Sequence, residues 1–272
     1  MPIVVCSAHG LRYDNVASDG CIRCRGRSRA TSSGGVSRRG LFVGSSAILL
    51  GAGAAAAYVY RDDIAPSLFT QDRDICEIEY GDGNKGALLE PTSVSTSTPA
   101  PLLLLFDPNG LARYIVGRYA AAARKLGWLA ASSYDVRNGT REMADTHAML
   151  DLLAFVRQRR AVDAAHVYTG GFSGGACEAY RLAIVAEDTF AGAIVECGHM
   201  GPWRHVGNSA TPRLRFYLFT REGDFNRPAT GQLFSVMKEK GCRVTKVEHP
   251  GVHAPMEGAE VDDALAWMAK EA

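Results

Sequence analysis

From Leu102 onward the chain alternates short apolar runs with amphipathic stretches, and this alternation restricts it to one class of fold. "LLLLF" (Leu102 to Phe106) precedes helical spacing over Ala112 to Leu126, and "WLAASS" (Trp128 to Ser133) precedes a helix over Arg141 to Arg159. The pattern continues with "HVYTGG" (His166 to Gly171) as strand, "ACEAYRLAIVA" (Ala176 to Ala186) as helix, and "GAIVECG" (Gly192 to Gly198) and "RLRFYLFT" (Arg213 to Thr220) as strands. A helix over Gly231 to Lys240, the strand "RVTKVEH" (Arg243 to His249) and a helix over Val261 to Glu271 complete it. Short, continuously apolar strands between amphipathic helices predict a mostly parallel sheet covered by helices on both faces. An earlier strand, "ICEIEY" (Ile75 to Tyr80), stands before a Ser/Thr/Pro-rich loop over Glu90 to Pro101. With 272 residues, 47% of them hydrophobic, the chain has material for a large core.

The first 74 residues have a different character. Residues 1–40 carry seven arginines against Asp14 and Asp19, a net of +5, so the overall +1 leaves −4 for the rest. A body without a Lys/Arg surplus argues against a nucleic-acid substrate. Residues 41–60, "LFVGSSAILLGAGAAAAYVY", hold no charge over twenty positions, which in a helix matches the roughly 30 Å of a bilayer core. Arginines before this segment place the N-terminus in the cytoplasm and the bulk of the chain outside, in the periplasm or extracellular space. "SRRGLF" (Ser37 to Phe42) resembles a twin-arginine export signal with its last two residues exchanged, and "AAA" (Ala55 to Ala57) offers a small-residue cleavage site. An uncleaved inner-membrane anchor and a cut signal releasing a soluble protein both follow from this segment.

Ahead of it, Cys6-x2-His9 and Cys21-x2-Cys24 form two knuckles across an eleven-residue spacer. A two-residue gap lets both side chains of a knuckle reach one ion, and four N or S ligands suit a tetrahedral structural zinc. The segment resembles a zinc ribbon; a redox Cys-x-x-Cys with His9 on the surface is the other reading. So small a module has no core of its own, so metal would supply its stability, and a cytoplasmic protein is its natural partner. The expected order is a zinc-ribbon-like module over 1–30, a basic linker over 31–40, a transmembrane or signal segment over 41–60, a linker over 61–74 and the main domain over 75–272.

"GGFSGGACEAY" (Gly170 to Tyr180) sets Ser173 in G-x-S-x-G, directly after an apolar strand and directly before a helix. That context converts a common pattern into a nucleophile elbow, whose strained turn requires small residues two before and two after the serine. Gly171 and Gly175 comply. A serine hydroxyl needs a histidine to take its proton and a carboxylate to orient that histidine. "REGDFN" offers Asp224 just past one later strand, with Glu222 as rival, and "PGVHAP" offers His253 past another, with His249 and His199 as rivals. Strand carboxyl ends line the crevice of an open parallel sheet, where residues distant in sequence converge.

On "GGFSGGACEAYRLA", "FTREGDFN" and "HPGVHAPM", the chain from about Ile75 resembles the α/β-hydrolase family. It is similar within it to small secreted esterases of the polyhydroxybutyrate depolymerase and feruloyl esterase type. The resemblance implies Ser173 as nucleophile, His253 as general base and acid, and Asp224 as orienting carboxylate. It also implies Gly174 as one oxyanion donor. Where the family commonly shows His-Gly, this chain has "DPNG" (Asp107 to Gly110); Pro108 has no N–H, which leaves Asn109 as the expected second donor. The expected activity is hydrolysis of a small or polymeric ester through an acyl-enzyme, with no catalytic cofactor. Amide or thioester hydrolysis, or a silent ligand-binding domain, are the alternatives. Only residues 199 to 212 separate two strands where many lipases insert a cap, so an open cleft is expected. Cys76, Cys177, Cys197 and Cys242 either pair in an oxidising compartment or remain free. Residues 1–40 are expected to bind about one zinc and to lose it on Cys21→Ser; metal analysis of the purified segment checks this, and unchanged content excludes the site.

Overall fold

The computed structural model describes residues 3–5, 12–14, 72–201, 204–207 and 209–270. Strands β1 (Ile3–Val5) and β2 (Arg12–Asp14) pair antiparallel, with Val5 opposite Arg12. The expected zinc ligands Cys6, His9, Cys21 and Cys24, the linker 31–40, the apolar segment 41–60 and residues 61–71 lie outside the described residues. Among the described residues, no helix is long and apolar enough to cross a membrane.

The main body is an eight-stranded sheet. Its strands are β3 (Ile75–Tyr80), β4 (Asn84–Leu89), β5 (Ala100–Phe106), β6 (Leu129–Ser133), β7 (Val162–Phe172), β8 (Gly192–Glu196), β9 (Arg215–Gly223) and β10 (Arg243–Val252). They lie in the order β10-β9-β8-β7-β5-β6-β4-β3. Only β4 runs against its neighbours, pairing antiparallel with both β3 and β6; every other pair is parallel. Sequence reading did not place β4, because "NKGALL" opens on two polar residues and a glycine and shows no clear period. The signal that betrays it is the turn "GDG", with Gly81 and Gly83 both at positive φ, directly after β3.

Successive side chains of a strand point to opposite faces, and β5 shows the result. Leu102, Leu104 and Phe106 join one core with α2 (Glu142–Arg159), α3 (Gly174–Val185) and α5 (Arg227–Glu239). Leu103 and Leu105 join the other with α1 (Ala112–Leu126) and α6 (Ala259–Lys270). Each buried leucine contributes about 1.5–3 kcal/mol. A short helix, α4 (Arg204–Gly207), completes the set. The expectation of a mostly parallel sheet with helices on both faces therefore holds.

Helix α1 illustrates how the sequence sets an element. Ala112, Ile115, Val116, Tyr119, Ala120 and Ala123 recur at helical spacing and are all buried. Gly127, at φ 70°, then stops the helix, its N–H donating to Arg124 O while Trp128 N donates to Ala123 O at 2.8 Å. From the middle of α1 comes a buried charge, Arg118, ion-paired with Glu196 at the end of β8. Glu196 also accepts from Tyr119 Oη at 2.6 Å and from Met256 N at 2.8 Å, and Arg118 donates to Met256 O at 2.8 Å. The pair thus pins the segment after β10 to the sheet. Removing one member of a buried pair strands the other, so Arg118→Leu is expected to lose about 3–5 kcal/mol in urea unfolding. The double variant Arg118→Leu/Glu196→Leu is expected to lose less, because no unpaired charge remains.

Candidate active site

Strand β7 ends at Phe172 and helix α3 begins at Gly174, leaving Ser173 alone at the corner with φ 54° and ψ −120°. A side chain held at positive φ costs on the order of 1–3 kcal/mol and persists only where the surroundings enforce it. Here they do. A Cβ on Gly171 would meet Phe106 O at 2.6 Å, and one on Gly175 would meet the same oxygen at 2.2 Å. The helix can therefore press against the end of β5 only through glycines. Ser173 N donates to Glu196 O at 2.9 Å, which ties the corner to β8.

Two later strand ends reach this corner. His253, just past β10, sets Nε2 2.9 Å from Ser173 Oγ and Nδ1 2.7 Å from Asp224 Oδ1. Asp224, just past β9 and almost fully buried, also accepts from Thr220 Oγ1 at 3.0 Å and from Asn226 N at 2.9 Å. Burial pushes its carboxyl up, but hydrogen bonds from His253 and the Asn226 N–H lead the interactions that outweigh burial and hold it below the ordinary value. The carboxylate thus stays charged where an ordinary aspartate would begin to take up a proton, and its stabilising contribution is lost only as pH falls through that lowered value. The imidazole lies between two aromatic rings, Phe172 at 4.9 Å and Phe225 at 4.1 Å between centroids.

The rival residues fall elsewhere. Glu222 is exposed. His249 bonds Glu260 at 2.8 Å and meets the Phe219 ring edge-on. His199 lines the cleft beside the corner; burial lowers its pKa, and nearby His253 lowers it further against the opposing pull of Asp224. All four described cysteines are free thiols. Cys197, at φ 50°, was not singled out from sequence for this place: its Sγ sits beside Asp224 and bonds Ala254 O at 3.4 Å, bridging the two loops. Cys197, Asp224 and His253 are the one group of ligand-type side chains clustered among the described residues, and the His253–Asp224 hydrogen bond, with the thiol packed beside that carboxylate, accounts for the closeness.

Of the two expected oxyanion donors, Gly174 stands at the first turn of α3, where N–H groups have no partner within the helix. Asn109 is placed differently from expectation. Its N–H donates to Asp107 Oδ1 at 2.8 Å, Leu111 N donates to the same oxygen at 3.0 Å, and Gly110 N donates to Asp107 O at 3.1 Å. The cause is Asp107 itself: its short carboxylate folds back onto the amides of its own loop.

Beside the corner opens a cleft of about 290 Å³, bordered by Asn138, Thr140, Gly174, Cys177 and His199. Beside His253, Phe225 and Val252 are 70% and 71% exposed.

Gly175→Ala is expected to destabilise by about 1–3 kcal/mol in urea unfolding, since backbone oxygen blocks the new methyl. Gly231→Ala, on open helix surface with nothing within 4 Å, is expected to gain about 0.5–1 kcal/mol.

No protein-family model and no curated protein matches the chain by sequence. Solved structures do match. S-formylglutathione hydrolase (FrmB) from Staphylococcus aureus aligns at 13% identity over 71% of this chain and 95% of that chain, with a TM-score of 0.57. A fungal esterase from Rhizomucor miehei aligns at 14% identity over 72% and 82%, with a TM-score of 0.56. EstE1, a carboxylesterase from a metagenomic library, aligns at 16% identity over 72% and 87%, with a TM-score of 0.54. Sheet order, elbow and these likenesses together give the main body the α/β-hydrolase fold.

Proposed function

We propose that the chain is a serine hydrolase that cleaves carboxylic esters through an acyl-enzyme. The observation that carries this reading is the continuous line Ser173 Oγ, His253 Nε2, His253 Nδ1, Asp224 Oδ1, with hydrogen bonds of 2.9 and 2.7 Å. In the first step Ser173 Oγ attacks the acyl carbon while His253 Nε2 takes its proton, and Asp224 stabilises the imidazolium. Collapse of the tetrahedral intermediate breaks the ester bond, and the imidazolium protonates the departing alcohol. Water then attacks the acyl-serine, gives its proton to His253, and releases the acid and free Ser173. No step calls for a cofactor.

Several features bear on the substrate. The structures named above are two esterases and an S-formylglutathione hydrolase, which supports acyl transfer to water. An open cleft, with the exposed apolar side chains Phe225 and Val252 next to the histidine, suits an extended or polymeric ester, in keeping with the resemblance to secreted depolymerases and feruloyl esterases. A second reading, amide hydrolysis, has one specific support: an acylaminoacyl peptidase aligns at 14% identity over 71% of this chain, which spans 40% of that longer protein, with a TM-score of 0.53. The triad serves either bond, and leaving-group contacts decide between them.

The hydrolase domain is assigned to the outside of the inner membrane. Residues 41–60 act as anchor or cut signal, and the Cys/His module at the N-terminus holds zinc in the cytoplasm next to a protein partner. Their sequence patterns are the support.

Steady-state hydrolysis of p-nitrophenyl acetate tests the central reading. Asp224→Asn is expected to lower kcat by about 10⁴-fold, since it keeps the shape but favours the wrong imidazole tautomer. Ser173→Ala is expected to fall at least as far. Full activity in folded Ser173→Ala, or a wild-type chain that hydrolyses neither ester nor amide, excludes it.

A further inference from the structure

Acyl transfer places negative charge on the substrate's carbonyl oxygen, and two donors aimed at that oxygen supply much of the rate. The N–H of Gly174 is one. The loop after β5, the usual source of the other, has none to spare among its first turn: Pro108 lacks an N–H, and those of Asn109, Gly110 and Leu111 are all spent on Asp107. Yet the remaining machinery is assembled, so a donor from another element is called for.

The loop between β6 and α2 brings one. Asn138 N donates to Pro108 O at 2.9 Å, which fastens this loop to the one that fails to supply a donor. The Asn138 carboxamide then lies directly over Gly174. A Cβ on Gly174 would fall 2.0 Å from Asn138 Oδ1 and 3.0 Å from Nδ2, so the carboxamide occupies the space that a side chain at this position would take. Asn138 and Gly174 also border the same cleft. The carboxamide is exposed and is not engaged by any other described side chain at hydrogen-bond distance, so it is available to a ligand. Its oxygen and nitrogen exchange places by a half-turn about χ2, which presents two N–H donors to whatever anion forms there.

We propose that Asn138 Nδ2 is the second oxyanion donor of this site, a side-chain amide standing in for the backbone amide that Asp107 has taken. This rests on the serine hydrolase reading above. It makes Asn138 a catalytic residue that touches the reacting oxygen, and it predicts an effect confined to the transition state. The substrate carbonyl meets the amide weakly before attack and strongly once charged, so the side chain should govern kcat and leave KM nearly unchanged.

The test measures kcat, KM and thermal midpoint for wild type, Asn138→Ala, Asn138→Asp and Ser173→Ala with p-nitrophenyl acetate, and inhibition by an alkyl boronic acid. Asn138→Ala is expected to lower kcat by about 10²–10³-fold at near-constant KM, with an unchanged thermal midpoint. Asn138→Asp, which replaces the donors by a negative charge, is expected to fall further. Boronate affinity, which depends on the tetrahedral anion, should weaken in step with kcat/KM. If wild type is active, Ser173→Ala is dead and Asn138→Ala keeps full kcat, Asn138 is not the donor while the hydrolase reading stands. If a lowered kcat comes with a lowered thermal midpoint and unaltered boronate affinity, Asn138 acts only on structure. A wild-type chain that hydrolyses neither ester nor amide overturns both readings.

Discussion

The site depends on how closely the end of β5 approaches the start of α3. Phe106 O occupies the space that a methyl on either residue 171 or residue 175 would need. With glycine at both, helix and strand pack at backbone distance and the chain between them has nowhere to go but a sharp corner. Ser173 sits on that corner at positive φ, a conformation that an L-residue reaches only under such constraint. The strain is the cost of lifting one hydroxyl out of the sheet and towards the ends of its neighbours. The same crowding leaves the N–H of Gly174 at the head of a helix, where the helix dipole favours negative charge.

A raised serine achieves nothing unless the histidine is held against it, and the histidine comes from a loop at the sheet's edge strand. Two arginines hold that loop by its backbone. Arg118 takes Met256 O, and Arg221 takes Ala254 O at 3.2 Å, Pro255 O at 2.8 Å and Pro250 O at 3.2 Å while pairing with Glu260. Cys197 adds a contact between the acid's loop and the histidine's. Charged groups so engaged are not efficient sources of net stability, because desolvation offsets most of the attraction. What they supply is a fixed geometry, and the proposed proton transfer over 2.9 Å tolerates little wandering.

The meeting of Ser173, Asp224 and His253 was legible in the sequence because each stands just past a strand that its own hydrophobic pattern reveals. G-x-S-x-G follows "HVYT", Asp224 follows "RLRFYLFT" and His253 follows "RVTKVEH". Parallel topology then brings the three ends together without further information. Helix α1 was legible to the residue, since a glycine stop and clean spacing bound it, whereas β7 and β9 run longer than their apolar cores because pairing extends into polar residues. Strand β4 was missed because a strand that alternates poorly carries no period, and only its turn marks it. The place of Asn109 was not legible for another reason. Whether an amide faces the substrate or its own loop turns on one side-chain hydrogen bond from Asp107, and nothing in residue order reports that. Asn138, Cys197 and the Arg118–Glu196 pair belong to the same class: their roles exist only once distant loops have met.

The most direct measurement is intact and peptide mass analysis of the folded protein after treatment with a fluorophosphonate, which reacts with serines activated by a neighbouring imidazole. One adduct per chain is predicted, carried on the peptide containing Ser173 and abolished when His253 is replaced by alanine. A folded protein that takes up no adduct, or that carries it on another residue, contradicts the claim that these three side chains act as one unit.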